Sequence, residues 1–308
     1  MSTLHPTRSA LSAIDTADVW LNSERLTAEG LRGRVVLVDF WTYSCVNWLR
    51  TLPYLRAWDE RYRDRGLVVL GAHAPEFGFE HELENVRRAA RELGVGYPIV
   101  IDNDFTIWRA FENHYWPAVY LLDRDGEGRF HHFGEGAYEE TERAIQQLLG
   151  VEEETVRVDA GGVAEAADWE TLGSPETYLG SARGERRSEP REDGLALNQW
   201  ALAGVWSVGG EAAVLEAAGG SVAYRFQARD VNLVLAPPAA EAGVRFSVRL
   251  DGQPPGDARG LDADAAGEGT VSEPRMYQLV RHRAAVAERD FEITFLDPGV
   301  RAYVFTFG

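Results

Sequence analysis

Residues 35–41, Val-Val-Leu-Val-Asp-Phe-Trp, form a run of β-branched and aromatic side chains broken by one carboxylate. Such a run is long enough for a strand covered on both faces and too short for a stable helix. From Val46 the period changes: Val46, Leu49, Leu52, Leu55, Trp58 and Tyr62 recur at three or four residues and predict a helix with one apolar stripe. Arg61, Arg63 and Arg65 sit where the helix C-terminus favours cations, and Gly66 closes it. Pro53 falls inside the pattern and predicts a kink. Further strands are predicted over 67–73, 97–101, 118–122 and 129–133, and helices over 80–93, 106–112 and 137–149. The segment 123–128, Asp-Arg-Asp-Gly-Glu-Gly, is a hairpin signal between the last two strands. Strands alternating with helices predict an α/β domain over 1–150.

After Gly150 the texture changes. Residues 151–200 carry scattered acids, glycines and prolines with little period, which predicts a linker or loosely structured connection. Over 201–308 helical patterns are absent, and short alternating runs at 213–216, 222–227, 231–236, 244–250, 276–281, 291–295 and 302–307 predict strands. Turn clusters such as Asp-Gly-Gln-Pro-Pro-Gly at 251–256 separate them, so this half is expected to be an all-β sandwich.

Composition narrows the functions. The 308 residues suit two domains at about 150 residues each. With 49 acidic against 31 basic residues the formal charge is −18, which repels polyanions and argues against nucleic acid and anionic membranes as partners. No apolar run approaches the ~20 residues of a membrane span. The N-terminal residues lack a basic segment followed by an apolar stretch, so a cytoplasmic, reducing location is expected. There is one cysteine, Cys45, which excludes an intramolecular disulfide, a multi-cysteine zinc site and a dithiol cycle within one chain.

Cys45 directly follows the first predicted strand and precedes the first predicted helix. Helix-start N–H groups and the positive dipole end stabilise a thiolate there, lowering the thiol pKa. The competing reading is an inert buried cysteine. No metal and no cofactor are called for. His131 and His132 adjoin on a strand and point to opposite faces, and the acidic turn at 262–269 lacks the third oxygen ligand and closing glutamate of a calcium loop. In the sandwich, Tyr178, Trp200 and Trp206 are candidates for stacking on a sugar, against the simpler reading that they pack the domain. That domain is expected to be a docking or recognition module for an unknown ligand.

The string Val38-Asp-Phe-Trp-Thr-Tyr-Ser-Cys45, with Pro53 and with Trp116-Pro117 just before a strand, resembles the active-site framework of thioredoxin-fold proteins of the TlpA-like group. The resemblance implies that Cys45 holds the nucleophile position, that Asp39 is the carboxylate buried beside it, and that Pro117 is the cis-proline packed against the site. Trp48 stands where that family has its second cysteine. A mixed disulfide on Cys45 then needs an external protein or low-molecular-weight thiol to resolve it. Asp39 is either a base or a carboxylate kept for structural reasons. His73 and Glu76, after the second predicted strand, are expected to line the site. Trp41, Tyr43, Trp48 and Trp116 are expected to surround Cys45 as an aromatic rim.

The likeness extends to the second half. Segments 174–180, 230–235, 248–252, 274–279 and 304–308 are similar to the C-terminal region of DipZ-type proteins, where a TlpA-like domain precedes a sandwich likened to carbohydrate-binding modules. The expected fold is therefore a thioredoxin-like α/β domain followed by a jelly-roll or carbohydrate-binding-module-like β-sandwich. The functions implied are a one-cysteine thiol oxidoreductase or, alternatively, a redox-inactive binding scaffold. Thr42 three residues before Cys45 also echoes part of a peroxiredoxin site, giving a one-cysteine peroxidase as a further alternative. The proline and arginine that complete such a site are missing.

Overall fold

The structure, a computed structural model, describes residues 8–189, 194–239 and 242–308. The first seven residues and 190–193 of the expected connection lie outside the described residues. The chain divides into two compact units, Met1–Ala164 and Glu165–Gly308.

The first unit runs α1 (Arg8–Leu11), β1 (Trp20–Leu21), β2 (Val35–Trp41), α2 (Val46–Tyr62), β3 (Leu67–His73), α3 (Leu83–Glu92), β4 (Ile99–Ile101), α4 (Thr106–Ala110), β5 (Ala118–Leu122), β6 (Gly128–Phe133) and α5 (Tyr138–Leu149). Its strands form one sheet in the order β1-β4-β3-β2-β5-β6. The central pairs β2 with β3 and β3 with β4 are parallel, while β1, β5 and β6 join antiparallel. Every residue of β2 is buried, as its unbroken apolar run requires. Register places Asp39 beside Gly71 and Trp41 beside His73, so strand alternation puts all four on one face. A Cβ on Gly71 would lie 2.8 Å from Trp41 Nε1; the glycine makes room for that indole.

Three departures from the expected elements have local causes. Residues 8–31 show little period, yet Ala10, Leu11, Ile14 and Leu31 join the core around Val36, Val38 and Phe40, and β1 extends the sheet edge. The helix expected over 80–93 starts instead as a 3₁₀ turn, Gly78–His81, with α3 beginning at Leu83. There Glu80 turns back to accept the N–H groups of Glu76 and Phe77. The strand expected over 97–101 shortens to β4 because Pro98 has no N–H to give; its carbonyl instead accepts from Gly71 N at 2.9 Å.

The segment 151–200 carries parts of both units. Glu142 of α5 is buried and accepts from Tyr62 Oη at 2.6 Å, Trp58 Nε1 at 3.2 Å and Val156 N at 2.8 Å. Glu153 pairs with Arg61 at 2.9 Å and with Arg65. Residues around 153–156 are thus fixed to α2 and α5, and the divide between units comes at Ala164.

The second unit consists of β7 (Thr177–Tyr178), β8 (Trp200–Ala203), β9 (Trp206–Val208), β10 (Ala213–Leu215), β11 (Ser221–Gln227), β12 (Asp230–Ala236), β13 (Val244–Leu250), β14 (Glu268–Val271), β15 (Arg275–Arg281), β16 (Glu288–Phe295) and β17 (Arg301–Phe307). They make two antiparallel sheets, β15-β12-β17-β10-β9 with β7 added on β17, and β14-β13-β16-β11-β8. Alternate residues such as Val222, Tyr224, Phe226, Phe246, Val248, Ile293 and Phe305 fill one core, as a sandwich demands. The all-β expectation therefore describes this half, with β7, β8, β9 and β14 added to the strands its pattern announced.

In the acidic turn before β14, Asp262 accepts from Arg275 at 2.7 Å and Gln278 N at 2.8 Å, and Asp264 accepts from Glu268 N at 2.9 Å. Of the stacking candidates, Trp200 is 1% exposed and its indole N–H binds the Glu185 carbonyl at 2.7 Å, so it is a core residue. Trp206 packs against the core and donates to the Ala203 carbonyl at 2.9 Å. Tyr178 lies under the Arg183 guanidinium at 3.5 Å.

Removing the Glu142 carboxylate strands buried donors on both α2 and the 153–156 segment. Glu142→Ala is expected to lower the unfolding free energy by about 3 kcal/mol, at 1–3 kcal/mol per unsatisfied buried group, measured by urea unfolding. A change within about 0.5 kcal/mol would show that these contacts do not hold α2 in place.

Candidate active site

Cys45 is the N-cap residue of α2, with extended backbone (φ −77°, ψ 114°), directly after β2 and a turn closed by Cys45 N donating to the Thr42 carbonyl at 3.3 Å. Its carbonyl accepts the first intrahelical bond, from Leu49 N at 3.0 Å. The side chain is half-buried, and Sγ lies 3.8 Å from the Trp116 carbonyl oxygen, within reach of an S–H donor. The Trp116–Pro117 peptide bond is cis. Sequence positions 71 residues apart therefore meet at the thiol.

Trp48, in the first turn of α2, is fully buried. Its indole N–H donates to Asp39 Oδ2 at 2.9 Å, and its ring stacks on Trp41 at 4.2 Å with planes 22° apart. Burial pushes the Asp39 carboxyl up to about 7, opposed by the Trp48 hydrogen bond and by the Tyr97 hydroxyl. Asp39 therefore has a partner in the residue that stands in the second thiol's place, and it carries its proton over much of the range below neutrality.

The expected aromatic rim is a core. Trp41, Tyr43 and Trp48 are buried, so of the four only half-buried Trp116 borders solvent; it donates to the Ala74 carbonyl at 3.0 Å and packs on Trp108 at 4.3 Å. His73 is fully buried between Trp41 (5.0 Å, edge-on) and Tyr43 (6.1 Å, 16°). Burial drops its pKa to about 3, so it is neutral and offers no surface to a partner. Thr42 is buried beneath the turn. Glu76 is half-buried, and its backbone N–H binds Glu80. Apolar surface near the Trp116–Pro117 segment comes from residues that sequence reading passed over, Tyr115 at 54% and Phe133 at 37% exposure, 5.0 Å apart.

The family described as Thioredoxin like C-terminal domain matches residues 174–308. Protein DipZ of Mycobacterium tuberculosis is 35% identical over 251 residues, covering 76% of this chain and 35% of that protein, so the chain spans about a third of that relative's length. Thiol-disulfide oxidoreductase YkuV of Bacillus subtilis is 29% identical over 143 residues, 46% of this chain and 95% of that protein. A solution structure of a thioredoxin-like protein in the oxidised form is 29% identical and covers 49% of this chain and 99% of that one, with a TM-score of 0.43. The chain thus carries a thioredoxin-fold, DipZ-like region.

Within that thioredoxin-fold unit, further residues brace the thiol. Arg50, buried on α2, pairs with Glu135 at 2.8 Å. The neighbouring Gly134 N–H donates to the Pro117 carbonyl at 2.8 Å. Helix, loop 134–136, Pro117 and the Trp116 carbonyl thus close a ring of contacts that returns to Sγ. On the other side Ser44 Oγ donates to the buried Glu80 at 2.5 Å. The sequence holds faint signals for both carboxylates: Glu135 stands alone between two glycines, and Glu80 directly follows an aromatic pair, Phe77 and Phe79.

Asp39 has a testable thermodynamic signature. The usual value of 3.8 applies to the unfolded chain, whereas the folded carboxyl titrates at about 7. Between those values the folded state holds more protons, so stability from this group is full below 3.8 and is lost as pH rises through about 7. Asp39→Asn escapes that loss. Its stability relative to the parent is expected to rise by on the order of 3 kcal/mol from about pH 4 to about pH 8 in urea unfolding. A difference independent of pH would mean that Asp39 is ionised throughout.

Proposed function

We propose that the chain is a thiol-disulfide oxidoreductase that works through one cysteine, forming mixed disulfides at Cys45 that an external thiol resolves. The observation that carries this reading is the placement of Sγ: half-exposed, at the N-cap of α2 and facing the Trp116 carbonyl. The likeness to a protein named as a thiol-disulfide oxidoreductase supports the reaction class. The Cys45 thiolate attacks one sulfur of a disulfide; a Cys45–S bond forms, the old S–S bond breaks, and the second sulfur leaves as thiolate. A second thiolate then attacks the substrate-derived sulfur and releases Cys45. Substrates of this class are protein or low-molecular-weight disulfides, and a reducing compartment supplies the resolving thiol.

Trp48 supports resolution by an external thiol. A helix turn that places an indole on Asp39 holds no sulfur at the position where one would attack. The same plug favours a second reading, a thioredoxin-fold scaffold whose thiol is not used. Incubation of the native protein with oxidised glutathione separates the two. The proposal expects one glutathione per chain, on Cys45, released by added thiol and absent from Cys45→Ser, read by intact mass. Failure of native Cys45 to form the adduct, with reaction after unfolding, would favour the scaffold.

Trp48→Cys tests what the indole replaced. Losing a fully buried tryptophan is expected to cost about 3–5 kcal/mol, and Asp39 loses its hydrogen bond. On oxidation the variant should gain an internal disulfide between Cys45 and the introduced thiol, seen as a loss of two hydrogens by mass. A folded variant that keeps both thiols reduced under oxidant would mean the helix start has diverged from dithiol geometry.

A further inference from the structure

Glu80 is a buried carboxylate shared by two segments that chain order keeps apart. Oε1 accepts the Ser44 hydroxyl at 2.5 Å, and Oε2 accepts the N–H groups of Glu76 at 2.6 Å and Phe77 at 3.0 Å. Ser44 is itself buried and immediately precedes Cys45. One side chain thereby ties the turn that carries the thiol to the loop that follows β3.

From this geometry we infer that Glu80 is a positioning residue for Cys45, acting through the Ser44 hydroxyl to hold the 42–45 turn in the conformation that presents the thiol. The inference rests on the thiol chemistry proposed above. An ionised carboxylate accepts all three bonds. Once protonated, the carboxyl loses its charge-assisted bonds: a proton on Oε1 reverses the Ser44 bond into a weaker neutral one, and a proton on Oε2 competes with the two backbone N–H groups.

Burial pushes Glu80 up to about 7, with the Glu76 charge adding to the rise and Ser44, Thr42 and the Phe77 N–H opposing it. The other titratable groups on the surrounding segments are Tyr43 in the same turn, His73 at the end of β3, held neutral by burial, His81 and Glu82 next in the chain, and Cys45 itself. The tie therefore tightens as pH rises through about 7, in the same direction as thiol ionisation. Two deprotonations then favour reaction, where a lone thiol supplies one.

The test is the rate of Cys45 alkylation by iodoacetamide in the full chain from about pH 5 to about pH 9, for the parent, Glu80→Gln and Ser44→Ala. Below about pH 7 the parent rate is expected to climb more steeply than the tenfold per pH unit of a single thiol. Both variants should fall back to that single-thiol slope, with the rate near pH 8 reduced about tenfold. Ser44→Ala leaves the Glu80 contacts to 76–77 in place, so it answers the question even if Glu80→Gln does not fold. A parent profile with one deprotonation overturns the inference, as do variant profiles that superimpose on the parent or run parallel below it. Inert Cys45 in the folded parent overturns the thiol reading and this inference with it, whereas reactive Cys45 with unchanged variants overturns the role of Glu80 alone.

Discussion

The hydrogen bond from the Trp48 indole to Asp39 fixes the character of this site. A carboxylate inside a sheet-and-helix core is costly unless its oxygens are partnered, and Asp39 sits on the central strand with no route to solvent. The indole N–H supplies one partner, and stacking on Trp41 holds the ring that carries it. Gly71 leaves the space that Trp41 needs. Tryptophan is thus more than a missing sulfur: strand, helix and neighbouring glycine are fitted around it. The first turn of α2 is committed to a one-thiol arrangement, and Cys45 is left at its exposed end.

Two buried carboxylates bracket that turn, and their effects differ. Asp39 holds the helix side through Trp48, where the hydrogen bond lowers a pKa that burial raises. Glu80 holds the strand side through Ser44 and joins it to the loop after β3. Both titrate at about 7 because desolvation outweighs their hydrogen bonds. Near neutrality each is partly protonated, so the negative charge beside a Cys45 thiolate is smaller than two ionised carboxylates would impose. The Arg50–Glu135 pair braces the turn from a third direction by fixing the loop whose N–H binds the Pro117 carbonyl. A half-exposed thiol is in this way carried on a rigid, mostly buried frame.

Much of this was readable from residue order, and what was not has a common cause. The all-buried strand 35–41, the helix from Val46 and the N-cap position of Cys45 follow from periodicity, which is a property of consecutive residues. The roles of Asp39 and Trp48 could be placed by position, but their mutual hydrogen bond could not, because either residue alone is compatible with a passive core. Glu80, Arg50 and Glu135 escaped notice since each acts on a residue 36 or 85 positions away, and period carries no information at that range. The supposed aromatic rim failed for a related reason. Trp41 ends β2 beneath the Trp48 ring of α2, and Tyr43, in the turn that follows, packs beside Phe79 of the 77–80 turn, so both are buried by different neighbours. Aromatic residues close in sequence to a reactive group are thus no guide to its exposed surroundings.

That burial directs attention to where a substrate sulfur can approach. With Trp41, Tyr43 and Trp48 enclosed, Cys45 has the Trp116–Pro117 segment as its bordering wall, and the Trp116 carbonyl is already turned toward Sγ. A thiolate formed there loses its S–H donor to that carbonyl and faces an oxygen dipole, which is an unfavourable arrangement unless an electrophilic sulfur or an N–H from an incoming chain intervenes. The same wall that holds the resting thiol therefore favours its consumption over its persistence as an anion. Exposed Tyr115 and Phe133 lie on the segments adjoining that wall and supply apolar area at low conformational cost. An extended polypeptide bearing a disulfide meets both requirements, since its backbone N–H groups can engage the carbonyl while its side chains cover the aromatics. A small disulfide meets only the first, which on the thiol chemistry proposed above weighs toward protein disulfides over low-molecular-weight ones.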